Sequence, residues 1–351
     1  METHMDRETR DMLLETADRF FTERCGRAVV NDVEKGVWPA DLWREIEELG
    51  LPMIAVPEDK NGAGGTLADM LALLRLAGSH AVPVPLAETT LANLLIATAG
   101  GGPKPGPATL TLGNLTLSGG RVSGKVERVP FASVANRFVV VVGNALAIVA
   151  AANAKVDGRP SHAGEPYGTV TFDNAAAEYS GASMISADRA FELAAGMRAM
   201  QMAGAADKVL ATAVEYSKQR VQFGRPISTF QAIQHMLAEL ASYVAATIAS
   251  AEAAARDADE GGLVDGGRFS IAAAKSQASD FAQRIAAISH QSMGAMGFTH
   301  EHILHHYTRR LWVWRRDFGS ETYWGDKIGA ACAKGGAEAL WASLSASKYA
   351  A

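Results

Sequence analysis

The stretch Arg220-Val-Gln-Phe-Gly-Arg-Pro-Ile-Ser-Thr-Phe-Gln-Ala-Ile-Gln-His-Met-Leu-Ala238 decides how this chain folds. Residues 190–219 before it and 231–256 after it are rich in alanine, leucine and methionine, all good helix formers. Between them lies Gly224-Arg225-Pro226. The glycine ends one helix and the proline forbids its immediate continuation. An antiparallel helix pair therefore turns here. The turn carries Arg220, Gln222, Phe223 and Arg225. Guanidinium forks pair with phosphate, and an aromatic ring can stack on a base, so the set suits a planar, dianionic ligand. Arginines beside a helix break also serve as plain solvated caps, so the turn alone assigns no ligand.

Working outward, Asp188–Gln219 reads as a long helix with Ser186 or Asp188 as its N-cap. Gln231–Arg256 returns, Asp257–Gly267 is a flexible turn, Arg268–Ser292 is a third helix, and Lys334–Ser347 ends a fourth. Antiparallel helices joined by turns predict a four-helix bundle over residues 186–351. A second motif, Gln291-Ser-Met-Gly-Ala-Met-Gly-Phe-Thr-His-Glu301, closes the third helix. Small residues there let a backbone approach a ligand, and amides near a helix end suit a pyrophosphate.

Residues 1–100 read as a helical domain. Helices are expected over Glu8–Arg24, Pro39–Gly50, Leu67–Gly78 and Glu88–Ala99, with a Pro/Gly loop over 51–65. The glycines at 62, 64 and 65 do not follow a strand in a βαβ pattern, so they make a poor phosphate cradle. Gly100–Pro107 is a linker. Segments 108–116, 121–129, 137–142, 145–150 and 169–172 are rich in Val, Leu, Ile and Thr, and predict a small β-domain or barrel over residues 101–185. The fold class is α+β, mostly α: helical domain, short β-domain, helical bundle.

Composition excludes several classes. Apolar residues are 48% and charged residues 20% of the 351, as in a globular protein, and the net charge of −5 draws in neither nucleic acid nor an anionic membrane. No apolar run reaches the length of a membrane span. Cys25 and Cys332 form no metal or redox spacing, and Met1–Arg7 lacks a signal-peptide pattern, so a reduced cytoplasm is the expected setting. His300, His302, His305 and His306 invite a metal reading. Their order is not His-Glu-x-x-His and no distant third ligand is evident, so no metal site is assigned. Arg309, Arg310, Arg315 and Arg316 flank Trp312 and Trp314. With an acidic chain this predicts packed tryptophans and arginines paired at a subunit interface rather than nucleic-acid binding.

The Arg220 turn with its Phe-Gln-x-x-Gln-His-x-Leu-Ala continuation resembles the acyl-CoA dehydrogenase family. So does the Gln291 loop, in which Ala295 stands for the usual second glycine. The order Leu-Trp, Glu-Leu-Gly-Leu, Val-Pro-Glu, Gly-Gly over residues 42–65 is also similar. The resemblance implies FAD as cofactor, α,β-dehydrogenation of an acyl-CoA thioester, and delivery of electrons to an electron-transfer flavoprotein. It implies that Arg220, Gln222, Phe223, Gln231, Gln291, Gly294, Ala295 and Ser320 bind cofactor, partly across a subunit interface. Two departures stand out. The middle-domain stretches that hold the flavin ring, Thr-Glu-Pro…Gly-Ser-Asp and Trp-Ile-Thr, are absent. The position of one branch's catalytic glutamate falls on Phe318, which accepts no proton. The other branch's position falls near Ala194, with Glu192 pointing elsewhere on the helix. Asp317 and Glu321 would serve only after a local shift. The chain therefore resembles the smaller, base-lacking subunit of α2β2 dehydrogenases, such as those acting on steroid side-chain CoA esters. A purely structural partner subunit and a self-sufficient homo-oligomer with a displaced base are the alternatives.

Overall fold

A computed structural model describes residues 5–345. The N-terminal domain holds five helices: α1 (Arg7–Arg24), α2 (Arg27–Glu34), α3 (Ala40–Glu48), α4 (Leu67–Ser79) and α5 (Leu86–Thr98). α2 is an addition to the sequence reading, which left residues 27–34 unassigned. Asp6 caps α1, and Thr66 with Asp69 forms a reciprocal capping box at α4. The glycine loop packs against the 51–56 segment: a Cβ at Gly62 would lie 1.9 Å from the Val56 carbonyl oxygen. It is a packing device.

The middle domain is a two-sheet sandwich. The strands are β1 (Ala108–Thr111), β2 (Leu115–Ser118), β3 (Arg121–Pro130), β4 (Arg137–Val142), β5 (Ala145–Ala150), β6 (Lys155–Pro160), β7 (Pro166–Ala176) and β8 (Tyr179–Ala182). One sheet runs β1-β4-β5-β8, with β1 parallel to β4; the other runs β2-β3-β7-β6, all antiparallel. Side chains alternate across β4. Phe138 and Val140 enter the sandwich with Phe172, while Val139 and Val141 pack onto the helical core. Burial on both faces explains the unbroken apolar run of β4. Strand β6 escaped the sequence reading because its Lys-Val-Asp-Gly-Arg-Pro composition suits an exposed edge, not a core.

The C-terminal domain starts with α6 (Ala187–Gln219), capped by the Ser186 side chain. Next come the two-residue strands β9 (Val221–Gln222) and β10 (Arg225–Pro226), then α7 (Gln231–Glu260), the short α8 (Gly262–Asp265), α9 (Arg268–Met293), α10 (Leu304–Trp314) and α11 (Glu321–Ser345), broken at Gly336. α6, α7 and α9 pack on one another, α11 on α9, and α10 against α6 and α9. The expected end of the last helix, at Ser347, lies outside the described residues. α6 also crosses α4 backbone to backbone. A Cβ on Gly204 would lie 1.9 Å from the Arg75 carbonyl oxygen, and one on Gly78 2.1 Å from that of Gln201. This crossing welds the first domain to the last. Among the described residues no helix is long and apolar enough to cross a membrane.

Candidate functional site

The eight cofactor candidates divide into separate regions. Arg220 is the C-cap of α6, and its carbonyl oxygen accepts from the Ile227 N–H. Phe223 (φ 52°) and Gly224 (φ 76°) both take the left-handed region, as a tight two-residue hairpin requires. That geometry drives Phe223 outward, where it is 92% exposed. Arg225 stacks over the Phe230 ring at 4.3 Å, and Phe223 meets Phe230 edge-on at 6.0 Å. Arg220, Gln222 and Gln231 are exposed beside them. The turn therefore presents an aromatic ring and two guanidinium groups outward from a rigid helix pair.

Gln291, Gly294 and Ala295 sit, exposed, where α9 ends. Gly294 has φ 61° and ψ −143°, and a Cβ there would meet nothing within 4 Å. Ala295 belongs to the 3-10 turn Gly294–Phe298, a helical conformation that a methyl tolerates. The alanine thus replaces a glycine without strain. Phe298, 72% exposed, stacks on His290 at 4.7 Å.

Ser320 lies in a third place, at the start of α11, accepting from the Tyr323 N–H at 3.4 Å. It lines a groove of about 910 Å³ between the β-domain and α10. A smaller cavity of about 210 Å³ lies beside it, lined by Leu110, Val126, Phe191 and Phe318. Arg128 and Arg316 line both. Arg128 has φ 56°, within the register break between Val126 and Val129 where β3 pairs with β7. Its Nη2 reaches Asp317 Oδ1 at 3.3 Å, and its guanidinium lies 5.9 Å from the Tyr167 ring centre. Arg128 thus crosses the space between the two hollows.

Behind Arg128 is a buried polar network that sequence reading missed. Tyr167 donates to Asp317 Oδ2 at 2.5 Å. Arg198 Nη2 lies 2.6 Å from Glu88 Oε1 and 3.3 Å from Asp317 Oδ2, and its Nη1 donates to Gln201 Oε1 at 2.5 Å. Burial alone would lower the Arg198 pKa; the carboxylates around it outweigh burial and raise it. Lys275, fully buried on α9, donates to the Arg315 and Gly319 carbonyl oxygens and to Ser279, so it pins the loop that carries Phe318. The only signal in the sequence was a set of charged residues on otherwise apolar helices, Glu88 on α5 and Arg198 on α6.

The base candidates are all engaged or misplaced. Phe318 packs on Phe191, ring centres 6.1 Å apart. Asp317 serves the network. Glu321 pairs with Arg315 at 2.5 Å, and although burial works to raise its pKa, that pair and a backbone hydrogen bond hold it low. Glu192 pairs with Arg189 at 3.2 Å and Arg268 at 2.8 Å. Ala194 is fully buried in the helical core. The basic, aromatic stretch departs from the expected interface pairing at three of its four arginines, whose partners lie within the chain. Arg309 binds Glu34, buried Arg310 binds Glu165, Arg315 binds Glu321, and Trp314 donates to Glu165. Trp312 alone of the two tryptophans is exposed.

A flavin ring is flat and three rings wide, so its seat must be an open slot. Here Arg128 lies between the two hollows and ties to Asp317, and Phe318 lines the smaller one. While that pair holds, Arg128 stands in the way of a ring spanning both hollows. The Arg220 turn and the Gln291 loop do offer groups suited to an adenosine diphosphate portion.

The comparisons agree with this architecture. The acyl-CoA dehydrogenase N-terminal domain model matches residues 7–101, and the C-terminal domain model matches residues 184–328. Acyl-CoA dehydrogenase IpdE2 of Mycobacterium tuberculosis is 33% identical over 310 residues, 86% of this chain and 91% of that one. Acyl-CoA dehydrogenase FadE34 of the same organism is 34% identical over 312 residues, 81% of this chain but only 42% of that longer protein. Among solved structures, the ChsE4–ChsE5 complex from M. tuberculosis superposes with a TM-score of 0.85 at 22% identity, covering 95% of this chain and 99% of that one. The steroid acyl-CoA dehydrogenase Tcur3481–Tcur3483 follows at 0.83 and 26%, covering 93% and 98%. A helical domain, a β-sandwich and a helical bundle in this order define the acyl-CoA dehydrogenase fold. The chain belongs to the acyl-CoA dehydrogenase family.

Proposed function

We propose that this chain is the base-lacking subunit of a hetero-oligomeric, FAD-dependent acyl-CoA dehydrogenase. The carrying observation is Arg128 lying across the cleft onto Asp317, with Phe318 beside it where a base would stand. The chain's own cleft neither seats the ring nor removes a proton. The outward-facing Arg220, Phe223 and Gln231, with Gln291 and Gly294, suit the adenosine and pyrophosphate end of an FAD whose ring lies in a second, dehydrogenase-like subunit. When bound there, flavin supplies the hydride acceptor for α,β-dehydrogenation of an acyl-CoA. In this chain the guanidinium groups neutralise phosphate, the exposed ring stacks, and Gly294 leaves room for close backbone approach. Two neighbours of the same fold are named as paired proteins, which favours the heteromer.

The test is a visible spectrum of the chain alone and of the chain co-expressed with a neighbouring dehydrogenase-like gene. The expected result is a colourless single chain and a yellow complex that an acyl-CoA bleaches. Arg220→Ala should then lower flavin retention by the complex. A yellow single chain bleached by an acyl-CoA would overturn the assignment in favour of a self-sufficient enzyme. A complex that keeps its flavin in Arg220→Ala and Gln291→Ala would leave the chain a purely structural partner.

A further inference from the structure

Helix α10 presents His305 and His306 side by side, ring centres 4.1 Å apart, against Glu34 at the end of α2. His306 Nδ1 lies 2.9 Å from Glu34 Oε1, and His305 Nδ1 lies 2.6 Å from the His302 carbonyl oxygen. Both oxygens only accept, so both Nδ1 atoms carry the proton and both Nε2 atoms keep a bare lone pair. The residues are buried, 8% and 2% exposed, and neither Nε2 has a hydrogen-bond partner. Two orphaned acceptors side by side are unusual, because buried polar atoms are nearly always satisfied. Glu34, His305 and His306 each bring a donor atom within 4.8 Å of the other two.

We propose that His305 and His306, backed by Glu34, form a site for a divalent transition-metal cation of the zinc class. Neutral imidazole nitrogens beside a carboxylate are the borderline donor set such cations prefer. His305 and His306 supply Nε2. Glu34 fixes the His306 ring from behind, as carboxylates do for metal-bound histidines. Exposed His300, its ring centre 4.9 Å from that of His305, is the nearest further imidazole, and water completes the shell. The ring centres, 4.1 Å apart, put both Nε2 atoms close enough to share one cation after a turn of the rings. Three cations surround the site, and each has its own acceptor. Arg309 holds Glu34 Oε2 at 2.6 Å, Arg310 holds Glu165, and Arg27 donates to the His300 and Glu301 carbonyl oxygens. They weaken the site without occupying the imidazole lone pairs. The spacing of the histidines gave no sign of a third group, because Glu34 stands 272 positions from His306. A bound cation would tie the N-terminal domain to α10.

The test uses the full chain without a histidine tag, stripped with a chelator and titrated with zinc chloride by calorimetry, then with cobalt(II) by visible absorption. One saturable site, cobalt bands of nitrogen–oxygen coordination and a zinc-dependent rise in melting temperature are expected. His305→Gln should weaken zinc binding at least tenfold, and Glu34→Gln about 10–100-fold. His235→Gln, on the exposed start of α7, should leave it unchanged. Wild-type protein that takes up no zinc, or a His305→Gln variant that binds it unchanged, overturns the proposal. The cobalt spectrum is read on the wild type, so absent imidazole-type bands overturn it even where a variant fails to fold.

Discussion

Tyr167 of the β-domain and Asp317 of the C-terminal domain, 150 positions apart, share a 2.5 Å hydrogen bond in the buried interior. Burial, then the Asp317 charge, push the tyrosine pKa well above its ordinary value, so the hydroxyl keeps its proton and donates it. The aspartate next to the expected base position is thereby committed to structure. It joins Tyr167, Arg128 and Arg198, and through Arg198 reaches Glu88 of the first domain. One charge cluster links all three domains.

Arg198 is the centre of that cluster, and both it and its partners are withdrawn from water. Arg198→Met would leave the Glu88 and Asp317 carboxylates buried without it. Breaking a buried pair from one side costs about 3–5 kcal/mol. Urea denaturation of the variant should show a loss of that order. A loss below about 1 kcal/mol would mean that the network relaxes around solvent and does not hold the domains.

Gly204 is the tightest point of the α4–α6 crossing. A methyl there would overlap the Arg75 carbonyl, a backbone atom that cannot swing away. Gly204→Ala should destabilise by about 1–3 kcal/mol or more, despite the better helix propensity of alanine. Gly102→Ala, where a Cβ would meet nothing within 4 Å, is the control and should change the melting temperature little.

The fold was legible wherever local periodicity and packing agreed. The α6–turn–α7 unit and strands β4 and β5 follow from breakers and apolar runs, and Arg220, Phe223 and Gln291 are exposed. Strand β6 and helix α2 were not legible, because their polar composition is set by an edge position and by partners far along the chain. The cleft was half legible. Phe318 could be counted from a motif. Arg128 could not, since its left-handed φ and its reach to Asp317 come from a β-bulge that no local pattern marks.

Lys275 gives the chain a pH dependence with a definite sign. Burial is the largest influence and pushes its pKa down to about 7 from 10.5. Between those values the unfolded chain binds a proton that the folded chain does not. Stability therefore rises with pH from about 7 towards 10.5, by at most about 1.4 kcal/mol per pH unit, and the burial cost is felt in full below 7. Denaturation curves at pH 7 and pH 9, compared between wild type and Lys275→Met, isolate this effect from other titrating groups. The wild type should gain on the variant as the pH rises. Equal slopes would mean that Lys275 stays charged in the fold, held by the Arg315 and Gly319 carbonyls.

Phe318→Glu tests whether a missing base is the only defect of this cleft. The new carboxylate would stand at a residue with φ 53°, beside Phe191 and close to Arg198, whose guanidinium carbon lies 5.7 Å from the present ring centre. Arg198 would draw it into the charge cluster and away from a substrate α-carbon. Arg128 would still cross the cleft. Phe318→Glu should therefore give the isolated chain neither flavin colour nor acyl-CoA turnover, and the double variant Phe318→Glu/Arg128→Gly should at most admit flavin without fast chemistry. Turnover by Phe318→Glu alone, followed by bleaching of added FAD under anaerobic conditions, would show that the slot opens on its own and that Arg128 does not bar it.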